Sequence, residues 1–220
     1  TLVANMDGVL VVDKPSGMTS HDVVARVRQA LNVRRVGHMG TLDPMATGVL
    51  PLMVGRATRL ASLLSVGRKT YEGTILLGVT TDTYDATGSI TTDIRNKTAA
   101  IKPLDRAEIE RAAEPFIGTF MQRPPPFSAK KIAGVRAYRL ARRHQAVDPA
   151  PVQVTVHALE LLSVDSSYIR CRVICEPGFY MRALAHDLGA VLGCGARLET
   201  LRRKQNGIFG VEEAVTINEI

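Results

Sequence analysis

The stretch Gly37–Gly48, GHMGTLDPMATG, decides how the chain is read. It carries one carboxylate, Asp43, followed by Pro44, in a run rich in Gly and Thr. Asp43 is the only acid between Asp22 and Glu72, an interval that also holds Arg26, Arg28, Arg34, Arg35, Arg56, Arg59, Arg68 and Lys69. An Asp in a loop punctuated by Gly and Pro commonly bonds its own neighbouring backbone N–H groups. Loops on rigid elements also display reactive groups, and surrounding cations keep a carboxylate ionised, as a nucleophile requires. Residue chemistry alone leaves both readings open.

Outward from this loop, strands and helices are interspersed. Gly8–Asp13 is a short apolar run closed by a KPSG turn, and Thr19 or Ser20 caps a helix with Val23, Val24, Val27 and Leu31 at helical spacing. Val49–Val54 reads as a buried strand, and 56–66 as a helix with Leu60, Leu63 and Leu64 on one face. Lys69–Leu77 alternates, with Tyr71, Gly73, Ile75 and Leu77 on one side, and Thr81–Gly88 is polar and turn-rich. Residues 105–116 form an amphipathic helix. Two further alternating strands start at Val152 and Ile169, a helix with Leu184 and Leu188 follows Gly178, and 196–209 is a last strand candidate. There is no strict βαβ alternation, so the expected class is α+β, with a mixed or antiparallel sheet.

The chain has 220 residues, 45% hydrophobic and 22% charged, enough to bury a sizeable core. No apolar run approaches the roughly 18 residues of a membrane helix. Three cysteines without CxxC spacing are expected as buried free thiols in a reducing cytoplasm, and no His/Cys cluster has metal-ligand spacing. The net charge of +7 is localised: residues 115–147 hold Arg123, Lys130, Lys131, Arg136, Arg139, Arg142 and Arg143 and no acid. That excess points to a polyanionic partner, most simply nucleic acid, against the alternative of a solvated charge run. Arg136, Arg139 and Arg143 have the spacing of one helical stripe.

Three other residues invite two readings each. Arg182 opens a helix whose dipole opposes a cation, so it is either solvent-exposed or paired with a carboxylate, for which Asp43 is the candidate. Tyr71 is either a core tyrosine or a pocket wall offering a ring face and a hydroxyl. His38 either satisfies backbone groups or stacks on a nucleobase.

The blocks GVLVVDKPSGMTSHDVV (8–24), GHMGTLDPMATGVLPLMVGRATR (37–59), KTYEGTILLGVTTDTYDATG (69–88), PPPFSAKKIAGVRAYRLAR (124–142) and GFYMRALAHDLG (178–189) together resemble the TruB family of tRNA pseudouridine synthases. The resemblance runs in order from about Gly8 to Gly210. It implies a pseudouridine synthase fold, a central mixed, largely antiparallel sheet flanked by helices, in one catalytic domain over 6–220. An RNA-clamping thumb is implied at about 122–150, and a C-terminal PUA-type domain, present in many relatives, is not expected in this chain.

The resemblance further implies conversion of uridine-55 in the tRNA T loop to pseudouridine by a cytoplasmic monomer, with no cofactor, metal, guide RNA or membrane. Asp43 would be the nucleophile, Tyr71 the tyrosine stacked on the base, and Arg182 the partner of the aspartate. Leu201 would pack beneath the flipped base and His38 would fill the space it vacates. Arg59, Lys130, Arg142 and Arg143 would serve as RNA-binding residues. The sequence departs from the family pattern at Phe127, where tyrosine is more usual, and at Phe179, where threonine is.

Overall fold

A computed structural model of the chain describes residues 6–64, 66–95, 105–127, 131–132, 135–136 and 149–220. The apolar run GVLVVDK forms β1 (Gly8–Lys14). After it, Thr19 caps α1 (Ser20–Ala30): its hydroxyl accepts the Asp22 N–H at 3.1 Å and the Asp22 carboxylate accepts the Thr19 N–H at 2.8 Å. This reciprocal box satisfies two otherwise orphaned donors, while Val23, Val24 and Val27 bury the opposite face. β2 (Val36–His38) and β3 (Thr47–Val54) flank the Asp43 loop.

A 3₁₀ segment, Gly55–Leu60, and the single turn α2 (Ala61–Leu64) stand where one amphipathic helix was predicted. The segment lacks a side-chain N-cap and any acid in its first turn, and Leu60 and Leu63 of the supposed apolar face are exposed. Without a cap, and with Leu60 and Leu63 in solvent, little favours a longer helix.

β4 (Lys69–Leu77) follows, with Tyr71, Gly73 and Ile75 buried in alternation as expected. β5 (Val79–Thr81) and β6 (Ile90–Asp93) pair as a hairpin around the turn that carries Asp85. α3 (Arg106–Ala113) has its own capping box from Asp105 and Glu108, and it ends in a 3₁₀ turn before β7 (Gly118–Gln122). β8 (Lys131–Ile132) and β9 (Val135–Arg136) form a two-residue ladder, so Arg136 sits in a strand and not on the predicted helical stripe. Arg139 and Arg143 lie outside the described residues. The chain closes with β10 (Val152–Asp165), β11 (Tyr168–Cys175), α4 (Met181–Val191), β12 (Ala196–Asn206), β13 (Phe209–Gly210) and β14 (Val215–Thr216).

Two compact units result, Thr1–Glu72 with Leu201–Ile220, and Gly73–Thr200. In the first, β1 and β3 are antiparallel from Gly8↔Val54 to Lys14↔Gly48. β14 lies parallel to β1, β2 antiparallel to β3, and β12 parallel to β3 at Arg202↔Thr47 and Arg203↔Gly48. Val23, Leu50 and Leu52 are among its fully buried side chains.

In the second unit the strand order is β4-β11-β10-β7, with β10 antiparallel to both neighbours. Its core includes Ile75, Ile169, Val173, Leu184, Leu188 and Leu198. α4 approaches β12 so closely at Gly189 that a Cβ there would stand 2.2 Å from the Ala196 nitrogen. The sheets are mixed and largely antiparallel, as expected. Cys171, Cys175 and Cys194 are buried thiols in no disulfide, and burial pushes the Cys171 thiol up to about 12. Among the described residues no helix is long and apolar enough to cross a membrane.

Candidate active site

The Asp43 loop spans the gap between β2 and β3, and its backbone is tied to buried side chains of the first unit. The Ser20 hydroxyl, on the first residue of α1, donates to the Leu42 carbonyl at 3.1 Å and accepts the Leu42 N–H at 2.9 Å. Lys14, wholly buried, donates to the carbonyls of Pro15 (2.8 Å), Met18 (2.6 Å) and Pro44 (3.2 Å). Arg203, also wholly buried, donates to Val49 O at 2.8 Å and Gly40 O at 3.0 Å. Asn206 donates to Met39 O at 2.6 Å. Within the loop, the Ala46 N–H closes a turn on Asp43 O at 3.0 Å. The carbonyls on both sides of Asp43 are thus held, while its own side chain stays half-buried.

Electrostatics follow from this burial. Desolvation lowers the Lys14 ammonium to about 8, opposed by attraction to Asp43 and reinforced by repulsion from Arg203. Among the described residues no carboxylate pairs with Arg203, so its charge is balanced by carbonyl dipoles. Arg202, next in the strand, faces the other way and makes a two-pronged bond to Asp13 at 3.0 and 2.7 Å.

The first unit also contains His38, Tyr71, Leu201 and Arg59. His38 ends β2 opposite Leu52, with its ring edge-to-face to His21 at 5.4 Å. Tyr71 and Leu201 are buried on β4 and β12, and the Leu201 carbonyl accepts from Thr47 at 3.4 Å. Arg59 is exposed in the 3₁₀ segment. Lys130, Arg142 and Arg143 lie outside the described residues.

Arg182 belongs to the second unit and is only 5% exposed, which removes the solvent-exposed reading. Its guanidinium donates to Phe127 O at 2.9 Å and Thr83 O at 3.1 Å, and its Nε lies 3.7 Å from Asp85 Oδ2. The bond to Phe127 uses the main chain, so it does not depend on which aromatic ring stands there. Asp85 is itself buried: its Oδ1 accepts from Thr83 Oγ1 (2.7 Å), Thr87 N (2.9 Å) and Thr87 Oγ1 (2.6 Å). Where α4 begins, the Gln122 amide exchanges two bonds with the Tyr180 backbone, at 3.1 and 2.9 Å.

Sequence reasoning passed over Lys14, Ser20, Asp85, Arg203 and Asn206. A signal existed for two of them. Arg203 is two residues beyond Leu201, on the buried face of a period-2 strand. Asp85 is a second acid in a Thr/Gly-rich turn, the same context that drew attention to Asp43.

Comparison with known proteins places this arrangement. Residues 28–181 match the TruB family pseudouridylate synthase N-terminal domain, and residues 182–220 the tRNA pseudouridylate synthase B C-terminal domain. The tRNA pseudouridine synthase B of Solibacter usitatus is 48% identical over 215 residues, covering 98% of this chain and 72% of that protein. Its counterpart in Thermobifida fusca is 46% identical over 222 residues, covering 97% and 74%.

Among solved structures, a Cbf5-Nop10-Gar1 complex has a chain that is 30% identical, with a TM-score of 0.73 over 96% of this chain. An archaeal box H/ACA sRNP Nop10-Cbf5 complex has one at 29% and 0.70 over 99%. This chain spans about half the length of those two, 52% and 53%. The match in family model, sequence and fold carries one conclusion: the chain belongs to the TruB family of pseudouridylate synthases, which are isomerases.

Proposed function

We propose that the chain converts uridine-55 in the T loop of tRNA to pseudouridine, with Asp43 as the nucleophile and residues 6–220 acting as the catalytic domain. The observation that carries this reading is the tethering of the Asp43 loop, in a chain of this family, through the carbonyls of Met39, Gly40, Leu42 and Pro44. Such tethering leaves one half-buried carboxylate displayed on a fixed backbone, which is what attack at a single atom requires. In the reaction the N1–C1′ bond breaks, the uracil turns, and a C5–C1′ bond forms. C5 loses a proton and N1 gains one, so the composition is unchanged.

The target base must leave the folded RNA, at a cost of a few kcal/mol. Basic side chains offset that cost through phosphate contacts, and the segment 122–150 is assigned this clamping role. Tyr71 and Leu201 are assigned as pocket walls, Tyr71 also as a proton acceptor, and His38 as the group that fills the vacated stack. Arg182 is assigned to the same chemistry. The purified chain is expected to act on bare tRNA as a monomer, without a guide RNA.

The test is pseudouridine mapping on a T-stem-loop transcript. Wild type is expected to modify one uridine, and Asp43→Asn none. A mutant that stays active would overturn the assignment of Asp43, and activity only with an added guide would overturn the stand-alone reading.

A further inference from the structure

The β2–β3 ladder closes the base of the loop that displays Asp43, and one side chain, Arg203, bridges Gly40 to Val49 across it. Arg203 enters on β12, registered against β3 by the parallel pair Arg203↔Gly48. The approach is so close that a Cβ on Gly48 would stand 2.1 Å from the Arg203 carbonyl, and Gly48 holds φ at +100°. From that anchor the guanidinium reaches the start of the loop and the strand beyond it: Nη2 donates to Gly40 O at 3.0 Å and Nε to Val49 O, in β3, at 2.8 Å. Asp43 lies between the two. We infer that Arg203 is a positioning residue for Asp43: by joining Gly40 to Val49 it fixes the span on which the carboxylate is displayed.

Two facts separate this from ordinary packing. A wholly buried cation with no carboxylate partner among the described residues is costly to keep, and an apolar side chain would fill the same volume more cheaply. The geometry also needs a fork. A planar guanidinium donates along two directions at once, whereas an ammonium is a point charge. Lys14 illustrates the contrast, since its three acceptors cluster around one nitrogen and include only Pro44 from this loop.

The inference rests on the reading of Asp43 as nucleophile, and the experiment keeps the two apart. Arg203→Met, Arg203→Lys and Asp43→Ala are compared in the full chain. The readouts are single-turnover pseudouridine formation at saturating T-stem-loop RNA, RNA affinity, and amide hydrogen exchange. A displaced reacting group can cost about 100-fold, so Arg203→Met is expected to slow the single-turnover rate by about that factor. RNA affinity should change by less than about threefold, a loss of rate without loss of binding.

Arg203→Lys keeps the charge but not the fork, and should fall between the two, slowed about tenfold. In both variants, exchange should quicken over 39–48 and stay unchanged over 169–175 in β11. Wild-type rates in either folded variant would overturn the inference, as would a rate that falls only in step with RNA affinity or with general exchange. If Arg203→Met does not fold, Arg203→Lys decides alone. Should Asp43→Ala remain active, the reading of Asp43 fails. Should it be dead while both Arg203 variants run at the wild-type rate, only the positioning role of Arg203 fails.

Discussion

Lys14 and Asp85 are the residues whose surroundings make the sharpest claims. The Lys14 ammonium is held at about 8 in the folded chain, against 10.5 for an ordinary lysine, chiefly by desolvation. Between those values the unfolded chain binds the extra proton, so this group's contribution to stability rises with pH. Melting curves from pH 8 to 10.5 should therefore show wild type gaining stability relative to Lys14→Met as pH rises. A constant difference would mean that the ammonium is not desolvated.

Asp85 and Arg182 are both buried, with the Asp85 Oδ2 3.7 Å from the Arg182 Nε. Removing one partner of a buried pair leaves an uncompensated charge, so Asp85→Ala should lose about 3 kcal/mol in denaturant unfolding. Asp43 was legible in sequence because charge makes it conspicuous. Lys14 and Arg203 were not, because a residue's type does not report its depth. Lys14 follows an apolar strand, as surface lysines often do, and Arg203 sits between Arg202 and Lys204 in what reads as a basic stretch.

At the scale of elements, periodicity and caps did most of the predicting. Alternation found β4, β10 and β11, where burial follows every second residue for much of the length. Of the two caps the sequence offers for α1, Thr19 and Ser20, the structure uses Thr19, and Thr19→Ala should cost about 1 kcal/mol of stability by thermal or chemical melting. Over 56–66 the leucine spacing predicts a helix, but spacing does not say whether anything covers the leucines. A close approach between elements is equally invisible in sequence. Gly189→Ala is well suited to α4 by propensity, yet its Cβ would meet the Ala196 nitrogen at 2.2 Å. Overpacking should make it destabilising by about 2 kcal/mol or more, in denaturant unfolding with the slope unchanged.

For the whole molecule, the +7 charge concerns its partner more than its fold. If the basic segment grips RNA, Arg142→Ala with Arg143→Ala should weaken T-stem-loop binding and flatten the plot of log affinity against log salt by about two phosphate contacts. An unchanged slope would take those arginines out of the interface. The α+β class was legible from interspersed elements. The division into units was not, because the first unit is made of two stretches, Thr1–Glu72 and Leu201–Ile220, that no local pattern connects.

That split has a consequence for synthesis. A chain leaves the ribosome in order, and domains fold as their residues emerge. The 73–200 unit is continuous and can close while later codons are still being read, but Arg203 and Asn206, which hold the Asp43 loop, arrive only afterwards. In a nascent chain arrested before Arg203 the loop would lack these two ties, although Asp43 was made long before. If Asp43 is the nucleophile and Arg203 positions it, competence is timed by translation, and an unfinished chain surrounded by the RNA of its own ribosome would have no finished site to use on it.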